Sequence, residues 1–194
     1  QDNEFIFVGR EELDLSSESG ISHYFDNNDK FDIIINCAAY TQVDKAEQEV
    51  ELANQINHLA VKQLASIASK QQARLIHIST DYVFDGESDK PYTEIDKTNP
   101  INVYGKTKLA GEKALQAVMP MNAIIIRTSW LYSEYGNNFV STMLRLGEER
   151  GEISVVNDQI GSPTYATDLA KIILHIIKTK EFKEMGQVAQ IYHY

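Results

Sequence analysis

Short β-branched runs separated by longer stretches of helical period constrain the fold of this 194-residue chain more than any other feature. Five runs read as strands, over residues 5–8, 33–37, 74–79, 123–127 and 153–156. Their apolar residues are nearly continuous rather than alternating with polar ones, so both faces of each strand need cover. That is the condition of a parallel sheet with crossover helices. The intervals supply the helices. Over 50–70, Leu52, Ile56, Leu59, Leu64 and Ile67 recur every three to five residues while Gln55, Lys62, Gln63 and Lys70 stay wet, predicting one long amphipathic helix. Residues 102–118, 138–149 and 167–178 read the same way, with Thr167 as N-cap and Asp168 in the first turn of the last. The expected fold class is α/β, a doubly wound parallel sheet, in a single domain covering 1–194.

Composition removes several classes of function. Eighteen Lys and Arg against 28 Asp and Glu give a net charge of −10, which repels phosphate backbones, and no basic stripe offsets it, so no nucleic acid partner is expected. No apolar run exceeds four residues, so neither a membrane span nor a secretory core is legible. The single cysteine, Cys37, suits a reducing cytoplasm and reads as buried packing within its strand. His23, His58, His77, His175 and His193 lack metal-ligand spacing, so no metal is expected, and no G-x-S-x-G elbow occurs. The glycine-rich turn G-x-G-x-x-G, which normally follows the first strand of a dinucleotide-binding fold, is also absent. The chain reaches strand character within five residues of Gln1, and 186–194 look like the lead-in to a further strand. The expectation is therefore a domain lacking its first strand and glycine turn, and lacking most of a C-terminal lobe.

Three segments carry candidate chemistry. Tyr104 and Lys108 stand at i and i+4 on one helix face, where an ammonium can stabilise a phenolate and make a tyrosine useful near neutral pH. The same spacing also arises by chance in many helices. Ser79-Thr80-Asp81-Tyr82-Val83-Phe84 follows a strand, so its hydroxyls and carboxylate fall where open α/β sheets place ligands. Thr80 is suited to donate to a substrate carbonyl that Tyr104 protonates, although Thr and Asp equally suit a strand-end turn. Asn36-Cys37-Ala38-Ala39-Tyr40-Thr41 ends another strand in small residues that let a flat ligand approach the backbone.

Together these segments resemble the extended short-chain dehydrogenase/reductase superfamily and, within it, the dTDP-4-dehydrorhamnose reductases. The likeness runs through Ile35 to Thr41, Val43-Asp44-Lys45-Ala46-Glu47, Ser79 to Phe84, Asn102 to Glu112, Arg127-Thr128-Ser129-Trp130 and Asn157 to Thr164, in register along nearly the whole chain. The resemblance implies a Rossmann-like, NAD(P)-binding fold and hydride transfer from NADPH or NADH to the C4 ketone of dTDP-4-dehydro-L-rhamnose, a nucleotide-sugar substrate. It implies Tyr104 as proton donor, Lys108 as the group that lowers its pKa and holds the nicotinamide ribose, and Thr80 as the residue orienting the carbonyl. Thr80, Asp81 and Trp130 would line the substrate pocket. Asp14, Leu15, Ala39, Tyr40 and Thr41 would contact the dinucleotide. Asn57 sits where extended members carry a helix asparagine, though capping or surface exposure explains it as well. Arg10, where many relatives place an acidic residue, leans toward a 2′-phosphate and NADPH.

Two other functions fit the same residues. Y-x-x-x-K chemistry is shared with other nucleotide-sugar reductases and epimerases, and some relatives are regulatory subunits that bind a partner without turnover. Enzymes of this kind often pair as homodimers.

Overall fold

The computed structural model describes residues 3–184, 186 and 188–194. In chain order the elements are α1 (Glu18–Asp26), β1 (Ile33–Asn36), α2 (Val43–Ala46), α3 (Val50–Asn54), a π-helical turn (Gln55–Leu59), α4 (Ala60–Gln71), β2 (Arg74–Thr80) and a 3-10 turn (Asp81–Val83). They continue with α5 (Val103–Val118), β3 (Ala123–Thr128), β4 (Leu131–Tyr132), α6 (Phe139–Glu149), β5 (Thr164–Tyr165), α7 (Ala166–Ile176), α8 (Lys180–Lys183) and β6 (Gln190–His193). The main sheet runs β1-β2-β3-β6, and every neighbouring pair is parallel. The doubly wound α/β arrangement expected from the apolar runs is the one that forms.

Strand periodicity divides the core into two layers. Leu75 and Ile125 face α4 and α5, packing on Val61, Ala65, Ala68, Leu115 and Met119. Ile76 and Ile126, one residue on, point the other way onto Leu169, Ile173 and Ile177 of the α7 region and Phe182 of α8. Each of these strand residues is at most 1% exposed, and burying a side chain of this size stabilises the fold by about 1.5–3 kcal/mol. The polar cargo of the strands, Asn36, His77, Ser79, Thr80 and Arg127, is also buried. Apart from His77, midway along β2, it lies toward the carboxyl ends of β1, β2 and β3.

Several expectations need correction. Residues 5–8 and 153–156 form no strand. Phe7 is 91% exposed and Val156 69%; β-branched composition does not hold a strand without a neighbour to complete its ladder. Cys37 is exposed, one residue past the end of β1, and does not serve as core packing. The helix over 50–70 forms but is interrupted by the π turn at Gln55–Leu59. Tyr165, not Thr167, is the N-cap of α7, because the β4–β5 pairing carries the extended chain directly into the helix, leaving Asp168 in the first turn as expected. The lead-in at the C-terminal end does become a strand, β6. Helix α1, capped by Ser17 through Gly20 N at 3.0 Å, has no counterpart in the sequence reading.

Candidate active site

Helix α5 starts where Asn102 stops the extended chain: its side-chain oxygen accepts from Gly105 N at 2.8 Å. This cap puts Tyr104 in the first turn and Lys108 one turn later, on the buried side of the helix. The first turn sits hard against the 3-10 turn after β2. A Cβ on Gly105 would stand 2.1 Å from Tyr82 O, so no larger residue permits this approach. The Tyr104 ring packs edge-on to Tyr82, centroids 5.5 Å apart, and against Tyr40, Ala46 and Ala53.

Thr80 ends β2 and caps the 3-10 turn. Its hydroxyl accepts from Tyr82 N at 3.2 Å and donates to Asp81 Oδ1 at 3.1 Å. It is also close enough to the Tyr104 phenol to favour its ionised form. Burial pushes the Tyr104 phenol up to about 12; Thr80 opposes this and Asp81 reinforces it. The phenol is thus protonated throughout the neutral range, the form a proton donor needs. Burial lowers Lys108 to about 8, with Glu112 and Cys37 opposing. Its Nζ donates to Ile78 O at 2.7 Å. The anticipated lowering of the phenol by Lys108 is therefore not what sets Tyr104 here: desolvation dominates, and the ammonium is engaged by the β2 backbone. Burial likewise raises the Asp81 carboxyl against its hydrogen bonds.

The other residues singled out from sequence fall into three places. Ala39, Tyr40 and Thr41 follow β1, where Asn57 clamps the loop: its Oδ1 accepts from Tyr40 N at 2.9 Å, and its Nδ2 donates to Tyr40 O at 3.1 Å and Thr107 Oγ1 at 3.2 Å. The π turn presents Asn57 between this loop and α5. Gly111 lets the two meet, since a Cβ there would stand 2.1 Å from Asn57 O. Asn57 is thus a buried bridge, not a surface or capping residue. Trp130 lies just beyond β3 in a left-handed conformation (φ 47°), with its ring 6.2 Å from that of Phe139. Asp14 and Leu15 lie instead at the approach to α1. Asp14 Oδ1 accepts from Ser16 N at 2.9 Å and pairs with Arg10 at 3.6 Å, and Leu15 packs with Ile21, Phe25 and Leu64. Structure therefore gathers Thr80, Asp81, Tyr104 and Lys108, ties Ala39–Thr41 to them through Asn57, and puts Asp14 and Leu15 in a different cluster.

Sequence reasoning passed over two buried groups. His77 is fully buried and held well below its usual pKa by desolvation, then by Lys108. Its Nδ1 meets Asn36 Nδ2 at 3.1 Å, and its Nε2 has no hydrogen-bond partner. Glu112 receives Arg127 through two bonds, Nε to Oε1 at 3.0 Å and Nη2 to Oε2 at 2.7 Å, and also accepts from the Ser79 hydroxyl. A signal for the pair existed: Arg127 closes the apolar run Ala123-Ile124-Ile125-Ile126, and a charge in a doubly covered strand requires a buried partner. Among the described residues, no cluster of His, Cys, Asp and Glu is arranged to hold a metal ion, and no helix is long and apolar enough to cross a membrane.

Comparison with known proteins is consistent along the chain. The model of the RmlD substrate binding domain family matches residues 1–194. The dTDP-4-dehydrorhamnose reductase of Salmonella typhimurium is 52% identical over 162 residues, 84% of this chain and 53% of the relative. The crystal structure of dTDP-4-dehydrorhamnose reductase from Bacillus anthracis in complex with NADP superposes with a TM-score of 0.87 at 44% identity, covering 96% of this chain and 63% of that one. The reductase ortholog from Clostridium acetobutylicum gives 0.86 at 43% identity, covering 95% and 62%. The chain thus spans about half the length of the curated relatives it matches.

Proposed function

Because the chain belongs to the RmlD substrate binding domain family, we propose that residues 1–194 form a single Rossmann-like domain carrying the catalytic residues of a dTDP-4-dehydrorhamnose reductase. The reaction is reduction of the C4 ketone of dTDP-4-dehydro-L-rhamnose to dTDP-L-rhamnose. The observation that carries this reading is the meeting of α5 with the carboxyl end of β2: Thr80 caps the 3-10 turn on which the Tyr104 ring packs through Tyr82, and Lys108 Nζ donates to Ile78 O. Thr80 orients the ketone by donating to its oxygen, for which the hydroxyl gives up its contact with Asp81. The protonated Tyr104 phenol then supplies the proton to the developing alkoxide. Lys108, charged below about pH 8, offsets the negative charge this leaves on the phenol and binds the nicotinamide ribose. Asp81 and Trp130 flank the sugar.

NADPH or NADH would supply the hydride. The chain's residues fit such a group: Ala39, Tyr40 and Thr41 leave β1 with small or backbone-held positions, and Lys108 is a buried cation near Cys37, two residues before Ala39. The Bacillus anthracis relative is complexed with NADP, which favours the phosphorylated cofactor. Asp14 and Leu15 are assigned to the adenine side on the resemblance alone. The reading also carries a cytoplasmic location and assembly as a homodimer.

The test uses the protein at its full encoded length, with NADPH or NADH and dTDP-4-dehydro-L-rhamnose. Cofactor oxidation with formation of dTDP-L-rhamnose is expected, and Tyr104→Phe is expected to lower turnover by about 10²–10⁴-fold while both ligands still bind. Binding of both ligands without cofactor oxidation, or unchanged turnover in the Phe variant, overturns the assignment. Product analysis with other keto-sugar nucleotides separates it from a related reductase or epimerase.

A further inference from the structure

Lys108, Glu112 and Arg127 are the buried side chains that ordinarily carry full charge among the described residues, and Glu112 stands at their centre. A carboxylate at 1% exposure survives only with compensating donors. Here the origin of those donors is informative. Ser79 and Arg127 are direct register partners on β2 and β3, and both reach up to the same carboxylate on α5. Ser79 immediately precedes Thr80, and Arg127 lies three residues before Trp130. On α5 itself, Glu112 lies one turn beyond Lys108, whose Nζ holds the carbonyl of Ile78, the neighbour of Ser79. Two successive β2 residues are thus stitched to two successive turns of α5.

We propose that Glu112 is a positioning residue for this site: its carboxylate fastens α5 to the ends of β2 and β3, holding the first turns of the helix that carry Tyr104 and Lys108, and places a negative charge one helical turn from the Lys108 amine. The inference rests on the reductase reading above. The surroundings suit the role. The Phe84 ring covers the Arg127 guanidinium at 5.2 Å, and His193 Nε2 closes its edge at 3.5 Å from Nη1, so the pair is shielded from water. The groups facing Lys108 are Glu112 from α5, Cys37 beyond β1, His77 from β2 and, across Glu112, Arg127 from β3. Glu112 is the strongest influence among them favouring the charged amine, and it opposes the desolvation that drives Lys108 down.

Glu112→Gln keeps the shape and removes the charge. In the full-length enzyme, the alkaline limb of the kcat/KM profile is expected to move to lower pH by about one pH unit, so that turnover falls about twofold at pH 7 and about tenfold on the alkaline side of the limb. The double variant Glu112→Gln/Arg127→Met leaves no orphaned guanidinium, so it guards against simple unfolding; with both charges of the pair gone, its limb is expected to move less than that of Glu112→Gln. Glu112→Asp keeps the charge, so its limb stays in place even where turnover falls. A limb unmoved in Glu112→Gln, with only thermal stability lowered, overturns the proposal and leaves Glu112 a structural residue. Retained turnover in Tyr104→Phe overturns the reductase reading instead, so the two failures are told apart.

Discussion

Gly105→Ala is a direct test of whether helix placement creates this site. The added Cβ would lie 2.1 Å from Tyr82 O, with Pro100 Cβ at 3.0 Å on another side. Ordinary contact begins at 3.4 Å, so the first turn of α5 must withdraw by about 1.3 Å from the 3-10 turn, an overpacking response. Tyr104 precedes this glycine and moves with it, away from Thr80. Misplacing a reacting group by about 1 Å costs on the order of 100-fold in rate. Stability responds less: overpacking costs about 1–3 kcal/mol, and alanine returns up to about 1 kcal/mol through helix propensity. The expected result is a large loss in kcat with a net destabilisation of about 0–3 kcal/mol, read from steady-state kinetics and from denaturant midpoints on the same preparation. Turnover within threefold of native would refute the claim that Gly105 sets the Tyr104–Thr80 approach.

Two further outcomes follow from the hydrogen-bonded loops around the site. Asn57→Ala strips partners from the buried backbone of Tyr40 and from Thr107. It should cost about 1–3 kcal/mol in urea denaturation and raise the cofactor KM more than it lowers kcat; an unchanged midpoint would show that the π turn is not a clamp. Asp85 is held at about 2 by the Tyr92 hydroxyl, then Asn99 and Glu87 N. Its folded value lies below the unfolded value of 3.8, so its stabilisation is present above that value and fades as pH falls from 3.8 toward 2. Asp85→Asn should therefore flatten the acid side of the stability profile in that window, and an acid-unfolding curve superimposable on the native one would contradict this.

The parts of the fold legible beforehand are those where local pattern and packing agree. The runs at 33–37, 74–79 and 123–127 became β1, β2 and β3, because continuous apolar character suits strands covered on both faces. Asn102 and Asn138 stand just where α5 and α6 begin, since a side-chain cap is a local interaction. The failures are equally physical. Phe5 to Val8 has the composition of a strand and no ladder partner among the described residues, and the π turn at Gln55–Leu59 packs on α5 at Gly111, a contact that no periodicity records.

Residue order by itself determined the chemistry on offer: a tyrosine and a lysine one turn apart, a threonine ending a strand, and small residues ending another, all consequences of spacings of a few residues. Tertiary structure decided what state those groups occupy. Desolvation, a property of the whole packed site, pushes the Tyr104 phenol up, and the buried Glu112 opposes the loss of the Lys108 charge. The contacts that join Glu112 to Ser79 and Arg127 span 33 and 15 residues of chain. Such pairings exist only after the sheet and helix have come together, because the free energy that places a buried charge comes from everything packed around it.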